Sequence, residues 1–220
     1  MPLRYRAVLF DLDGTLVDSY AALTDAVNFA RRKYGFTSLP AETIREFVGE
    51  GLERLLCRAF DADAPPPGAT EAFEARYDEI CCQQSRVLAD VEPTLAALDR
   101  AGVAMAVCTN KPTAFSRKIL EFLDLARFFC DIVGPDIAGA RKPAPEHVLR
   151  TLEATHCSAG EALFVGDMPI DVKAAHNSGL SAAVVATGSA SSAALKAASP
   201  DHFLDRLADL VQIVRNGASA

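Results

Sequence analysis

The sequence predicts an α/β fold: a Rossmann-like parallel sheet core with helices on both faces, plus an inserted all-helical subdomain near its start. Three observations carry this. Ala7-Val8-Leu9-Phe10 is a continuous apolar run of the kind that fills a strand buried on both faces. From Val91 onward, short apolar runs alternate with segments of helical period, the pattern of β-α units in a parallel sheet. Between them, from about Leu16 to Leu88, apolar residues recur only at helical spacing. The expected division is therefore 1–15 and 89–220 for the α/β core, and 16–88 for the helical insert.

Within the insert, Leu23, Ala26, Val27, Ala30 and Tyr34 mark a first helix that Gly35 and Pro40 close. Leu52, Leu55, Leu56, Ala59 and Phe60 form a second amphipathic face, and Pro65-Pro66-Pro67-Gly68 is a hard break. Phe73, Tyr77, Ile80, Cys81 and Gln84 suggest another helix, and the insert is read as free of strands. In the core, Leu95 and Leu98 lie on a short helix that Gly102 can stop. Val103 to Cys108 is a strand, and Pro112 can open the helix carrying Phe115, Ile119, Leu120 and Leu123. Asp131-Ile132-Val133 is a short strand, and Val148, Leu149 and Leu152 mark a helix. Ala162 to Val165 is a strand followed by a helix ending near Gly179, and Ala182 to Val185 is a further strand. The Ala/Ser-rich stretch from Thr187 to Ser199 reads as a loop and short helix, and Leu207, Leu210, Val211 and Val214 as a closing helix.

Composition bounds the partners. The chain of 220 residues is 50% hydrophobic and 23% charged, an ordinary globular balance. A net charge of −7 argues against nucleic acid, yet permits an anionic substrate held through a divalent cation. The six cysteines include no C-x-x-C pair and read as small buried hydrophobes in a reducing compartment. No apolar stretch of signal-peptide length precedes Asp11, and no segment approaches a membrane span. The expectation is a cytoplasmic protein with no membrane partner.

The polar residues of interest share one address. Asp11 and Asp13 follow the first strand, Thr109 and Asn110 the second core strand, Lys142 the third, and Asp167 and Asp171 the fourth. In a parallel sheet these ends lie on one edge, where open α/β sheets bind ligands. Taken singly, each has a structural explanation: a turn, a helix cap, a solvated lysine. Four arrivals at one edge need that explanation to hold four times. Asp11 is a carboxylate that needs no base to attack phosphorus. Asp11 and Asp167 can hold a hard cation such as Mg²⁺ with oxygen ligands. Thr109 and Lys142 can contact phosphoryl oxygens. Asp13 can protonate a leaving alcohol and then deprotonate water.

These segments resemble the motifs of the haloacid dehalogenase superfamily, in its phosphoglycolate phosphatase-like branch. DLDGT at Asp11–Thr15 is similar to the first motif, which implies Asp11 as nucleophile and Asp13 as acid/base. TNKP at Thr109–Pro112 is similar to the second, which places Thr109, with Asn110 beside it, on the phosphoryl group. RKPAP at Arg141–Pro145 and GDMPID at Gly166–Asp171 are similar to the third and fourth. They imply Lys142 on nucleophile and phosphate, Asp167 on Mg²⁺, and Asp171 on the metal or its waters. The resemblance also implies the Asp13 backbone carbonyl as a metal ligand, and the insert as a mobile cap. Asp13 argues against dehalogenation, and Thr15 weakly against a phosphosugar mutase.

Met168 departs from the serine usual in the fourth motif, so a hydrogen bond near the metal is expected to be missing. Pro93-Thr94 replaces a common Pro-Gly, and the loop at Ala186–Ser189 lacks its usual aromatic residue. Gly49-Glu50-Gly51 resembles the cap loop that faces the site, and Gly49, Glu50 and Arg54 are the expected substrate contacts there. Arg45 and Arg54 flank that loop and could meet a substrate carboxylate. The leading expectation is a Mg²⁺-dependent phosphomonoesterase of a small phosphorylated metabolite, 2-phosphoglycolate first, in a monomer or homodimer. A phosphosugar mutase, a pyrophosphatase or nucleotidase, and a non-catalytic binding module are the alternatives.

Overall fold

Strand β1 (Ala7–Phe10) is fully buried because layers of helices cover both faces of the sheet around it. Its side chains alternate between two cores. Ala7 and Leu9 join Ala106, Phe164 and Val184 on one face, and Val8 and Phe10 join Val107, Leu163 and Val165 on the other. A strand filling two cores has no polar position to spare, hence its unbroken apolar run. The computed structural model describes residues 3–215.

After β1 the chain forms β2 (Val17–Asp18) and four helices: α1 (Tyr20–Lys33), α2 (Ala41–Phe47), α3 (Leu52–Phe60) and α4 (Ala69–Ile80). It returns through β3 (Arg86–Val87) and α5 (Val91–Arg100) to β4 (Ala104–Cys108), α6 (Thr113–Phe122), β5 (Asp131–Val133), α7 (Pro135–Ala138) and α8 (Pro145–Glu153). Next come β6 (Ala162–Gly166), α9 (Pro169–Asn177), β7 (Ser181–Val185), α10 (Ser192–Ala197), β8 (His202–Leu204) and α11 (Leu210–Arg215). The main sheet is parallel throughout, ordered β5-β4-β1-β6-β7-β8, with Ala7 level with Ala104 and Ala162. The α/β sheet with helices on both faces is thus as expected.

The insert differs from its strand-free reading. β2 and β3 pair antiparallel, Val17 opposite Val87, as a ribbon at the root of the helices. Two residues per strand are too few to show a period of two. Helix α2 was not anticipated because only Ile44 of its seven residues is buried. Edge strand β8 shows no apolar run for a similar reason: of its three residues only Leu204 is buried. Within the insert, Arg76 on α4 forks onto Asp25 on α1 with two 3.0 Å hydrogen bonds.

Beneath the sheet edge, His147 on α8 is completely buried. Its Nε2 donates to the Val133 carbonyl at 3.1 Å, while Nδ1 has no partner. Burial, reinforced by the nearby Lys142 charge, pushes its pKa down to about 4 from 6.5. A neutral imidazole is therefore part of the folded state. Its contribution is complete above about pH 6.5 and is lost as pH falls through about 4, about 3 kcal/mol in all. Urea midpoints measured at pH 7 and pH 4.5 should show this loss, and His147→Leu should lose less. The Val133 carbonyl keeps a partner in that variant, since the Thr109 N–H also donates to it at 3.1 Å.

Candidate active site

The carboxyl ends of β1, β4 and β6 deliver Asp11, Thr109 and Asp167 to one edge, and Lys142 and Asp171 close on them. Lys142 Nζ lies 2.8 Å from Asp11 Oδ1 and 2.8 Å from Asp171 Oδ1. Ligand atoms of Asp11, Asp167 and Asp171 all fall within 4.8 Å of one another. Asp171 Oδ2 accepts the backbone N–H of Met168 at 3.0 Å and of Asp167 at 3.2 Å, so the first turn of α9 is built around this carboxylate. Thr15 donates to Asp167 Oδ1 at 3.0 Å. Asp167 Oδ2 is buried with no partner at all.

Electrostatics follow from this crowding. Burial, then the charges of Asp171 and Asp11, hold Asp167 well above the usual carboxylate range. Burial lifts Asp171 to about 6, with Lys142 opposing it. For Lys142, burial alone would favour the neutral amine, but Asp11 and Asp171 more than reverse this and hold it above the usual lysine value. Three carboxylates sharing one lysine form a site short of positive charge, and a buried carboxylate oxygen without a donor costs free energy.

Glycine backbone packs closely over that oxygen. A Cβ on Gly188 would stand 1.5 Å from Asp167 Oδ2, and one on Gly14 2.5 Å from it. Gly14 also has φ of +84°, and its carbonyl accepts Thr187 Oγ1 at 2.6 Å. The oxygens are hard, carboxylate and convergent, which is the donor set of Mg²⁺. The residues present therefore fit a divalent cation.

On the insert side, a cavity of about 50 Å³, counted as room for water centres, abuts Asp11. Asp11, Asp13, Thr109, Asn110 and Lys111 line one end, and Leu23, Val48, Leu52, Leu55, Phe73 and Phe115 the other. Asp13 is gripped by Lys111, whose Nζ lies 2.8 and 2.6 Å from its two oxygens, and by the Ser19 hydroxyl. Neither Lys111 nor Ser19 was singled out from the sequence. The signal for Lys111 was its place in TNKP, two residues after the motif threonine.

Several expected contacts stand elsewhere. The Asn110 side chain is fully occupied: Nδ2 donates to the carbonyls of Gly49 at 3.0 Å and Lys142 at 3.2 Å, and Oδ1 accepts the Lys142 N–H at 2.9 Å. It ties core to insert and has no donor left for a phosphoryl group. Glu50 and Arg54 line a separate, open hollow, and Glu50 pairs with Arg58. Arg45 donates to the carbonyls of Thr187 at 3.0 Å and Gly188 at 2.8 Å, its guanidinium 4.2 Å from the Tyr20 ring centre. It fastens the insert to the loop that covers Asp167, so neither arginine faces the cavity. Gly49 does line it, with φ of +120°, and an added Cβ would meet Met168 Sδ at 2.1 Å. Met168 supplies the acidic cluster with its backbone N–H only; its thioether supports the insert loop.

A parallel α/β sheet with an acidic cluster at its carboxyl edge and a helical insert above it is the architecture of a hydrolase class. The family model of the haloacid dehalogenase-like hydrolases matches residues 8–185, and the chain belongs to that family. It is a phosphatase of this type, similar to the phosphoglycolate phosphatase of Vibrio parahaemolyticus, 33% identical over 95% of this chain and 96% of that one. It is also similar to the phosphoglycolate phosphatase of Rhodospirillum rubrum, 38% identical over 83% of this chain and 80% of that one. Among solved structures, a predicted phosphoglycolate phosphatase from Haemophilus somnus superposes with a TM-score of 0.89 at 27% identity, covering 96% and 99% of the two chains. No helix among the described residues is long and apolar enough to cross a membrane.

Proposed function

We propose that the chain is a Mg²⁺-dependent phosphomonoesterase whose substrate is 2-phosphoglycolate, hydrolysed through an aspartyl-phosphate on Asp11. The observation that carries this is the partnerless, buried Asp167 oxygen beside Asp11 and Asp171, in a cluster with one lysine. Asp11, Asp167 and Asp171, with the Asp13 carbonyl, would hold the cation, which when bound offsets the repulsion between carboxylate and phosphoryl group. Lys142 orients the Asp11 carboxylate and adds a second positive charge beside the incoming phosphoryl oxygens. The Asp11 oxygen attacks phosphorus as the bond to the alcohol oxygen breaks. Asp13 gives that oxygen its proton. In the second step Asp13 takes a proton from water, the water oxygen bonds to phosphorus, and the Asp11–phosphorus bond breaks to release phosphate. Ser19 and Lys111 hold the Asp13 carboxylate over the cavity for both transfers. Thr109, buried at the end of β4, is the phosphoryl-contacting hydroxyl.

Relatives named phosphoglycolate phosphatase support the choice of substrate, and six free cysteines fit a reducing cytoplasm. The test is phosphate release from 2-phosphoglycolate, sugar phosphates, nucleoside monophosphates and pyrophosphate, with Mg²⁺ and with EDTA. Metal-dependent release strongest for 2-phosphoglycolate is expected. Isomerised sugar phosphate without free phosphate would instead indicate a mutase.

A further inference from the structure

Specificity must come from the organic half of the substrate, since every phosphomonoester offers the same phosphoryl group. The space left for that half is a cavity of about 50 Å³. Its insert-side walls are hydrocarbon and aromatic, with Leu23, Val48, Leu55 and Phe73 offering no partner to sugar hydroxyls. A polyhydroxylated group would leave hydroxyls unpaired there, at a cost for each.

Two polar features break this apolar wall. Lys111 is the one cation lining the cavity among the described residues. Its ammonium carries three N–H donors. Asp13 takes two of them, at 2.8 and 2.6 Å, and the third lies toward the Tyr77 hydroxyl. Nζ stands 5.1 Å from the centre of the Tyr77 ring. Tyr77 itself lines the cavity, is 1% exposed, and its hydroxyl has no hydrogen-bond partner. A buried hydroxyl whose own proton has no acceptor is costly in the empty protein. Beside the Lys111 ammonium, it marks a place prepared for an acceptor.

We infer that Lys111 and Tyr77 form the receptor for a carboxylate on the organic half of the substrate, a role for which the sequence offered Arg45 and Arg54 as candidates. The substrate class is then a short phosphomonoester ending in a carboxylate. The carboxylate accepts one N–H of Lys111 and the O–H of Tyr77, while Lys111 keeps its grip on Asp13. One lysine thus links recognition of the substrate's far end to the placement of the acid that serves the leaving oxygen. This inference rests on the phosphatase reading above and adds to it the residues that select the substrate.

The test compares kcat/KM for 2-phosphoglycolate, for its neutral analogue 2-hydroxyethyl phosphate and for the cationic 2-aminoethyl phosphate. Wild type, Tyr77→Phe, Lys111→Arg and Lys111→Met are measured with Mg²⁺. Wild type should prefer the carboxylate over the neutral ester by about 100-fold and reject the amine. Tyr77→Phe should cut that preference about tenfold. Its melting temperature should change little, because the hydroxyl it removes makes no well-formed hydrogen bond in the free protein. Lys111→Met should abolish the preference and Lys111→Arg retain part of it. Equal hydrolysis of the three esters by wild type, or a preference that survives in both Tyr77→Phe and Lys111→Met, overturns the inference while leaving the phosphatase standing. No phosphate from any ester overturns the phosphatase reading and this inference with it.

Discussion

Asp11→Asn should lower phosphate release by at least about four orders of magnitude while leaving the fold intact. An amide of the same shape has no charge and no competent lone pair for attack on phosphorus. Its oxygen can still accept from Lys142 Nζ, which stands 2.8 Å from the native carboxylate. The variant also separates catalysis from stability. In the native cluster, Asp11, Asp167 and Asp171 crowd and repel one another, and Lys142 pairs with only Asp11 and Asp171. Removing one of the three charges relieves that repulsion, so the metal-free melting temperature should hold or rise. The stabilisation gained on adding Mg²⁺ should shrink, because stabilisation by a ligand tracks its affinity for the folded state. Thermal melts with and without Mg²⁺, beside single-turnover phosphate release, measure both. Residual activity above about 1%, with contaminating phosphatase excluded, would falsify Asp11 as the nucleophile.

The site was legible in the sequence wherever chemistry and strand ends coincide. Asp11, Thr109, Lys142 and Asp167 sit at or near the carboxyl edge of the sheet because a parallel sheet sends all its strand ends one way. The insert was less legible, for a physical reason. Which residues of a helical insert face the site depends on how it docks, and no periodicity records that. Arg45 stands beside the expected loop, yet its guanidinium is spent on the Thr187 and Gly188 carbonyls. Arg54, the residue before Leu55 in the cavity wall, points outward because adjacent helical positions face different directions. Lys111 and Tyr77 escaped notice because their roles arise from a contact between core and insert, 34 residues apart in the chain and 5.1 Å apart in the fold. The ribbon of β2 and β3 was equally invisible: its four residues acquire meaning only when the two ends of the insert meet.

Lys142→Met should have the opposite signature to Asp11→Asn. Lys142 is 3% exposed and is the cation that both Asp11 and Asp171 share. Methionine matches its length without its charge and leaves three buried carboxylates facing one another. Breaking a buried charge pair by removing one partner costs about 3–5 kcal/mol, so the metal-free variant should melt well below wild type. Added Mg²⁺ should restore more stability to it than to wild type, since the cation then supplies the only compensating charge. Activity should fall by about a thousandfold even when the metal is saturating, because the phosphoryl oxygens lose a fixed cation in a water-poor site. The comparison discriminates between two accounts of the metal-free cluster. If its carboxylates are ionised, Lys142→Met is strongly destabilised and Asp11→Asn is not. If protons already neutralise them, as the elevated pKa of Asp167 permits, Lys142→Met melts with wild type at pH 5 and falls away from it as pH rises. Melting both variants from pH 5 to pH 8 without metal therefore reads the charge state of the cluster directly, and fixes how much of the pull on the cation comes from unpaired carboxylates and how much from the exchange of protons for metal.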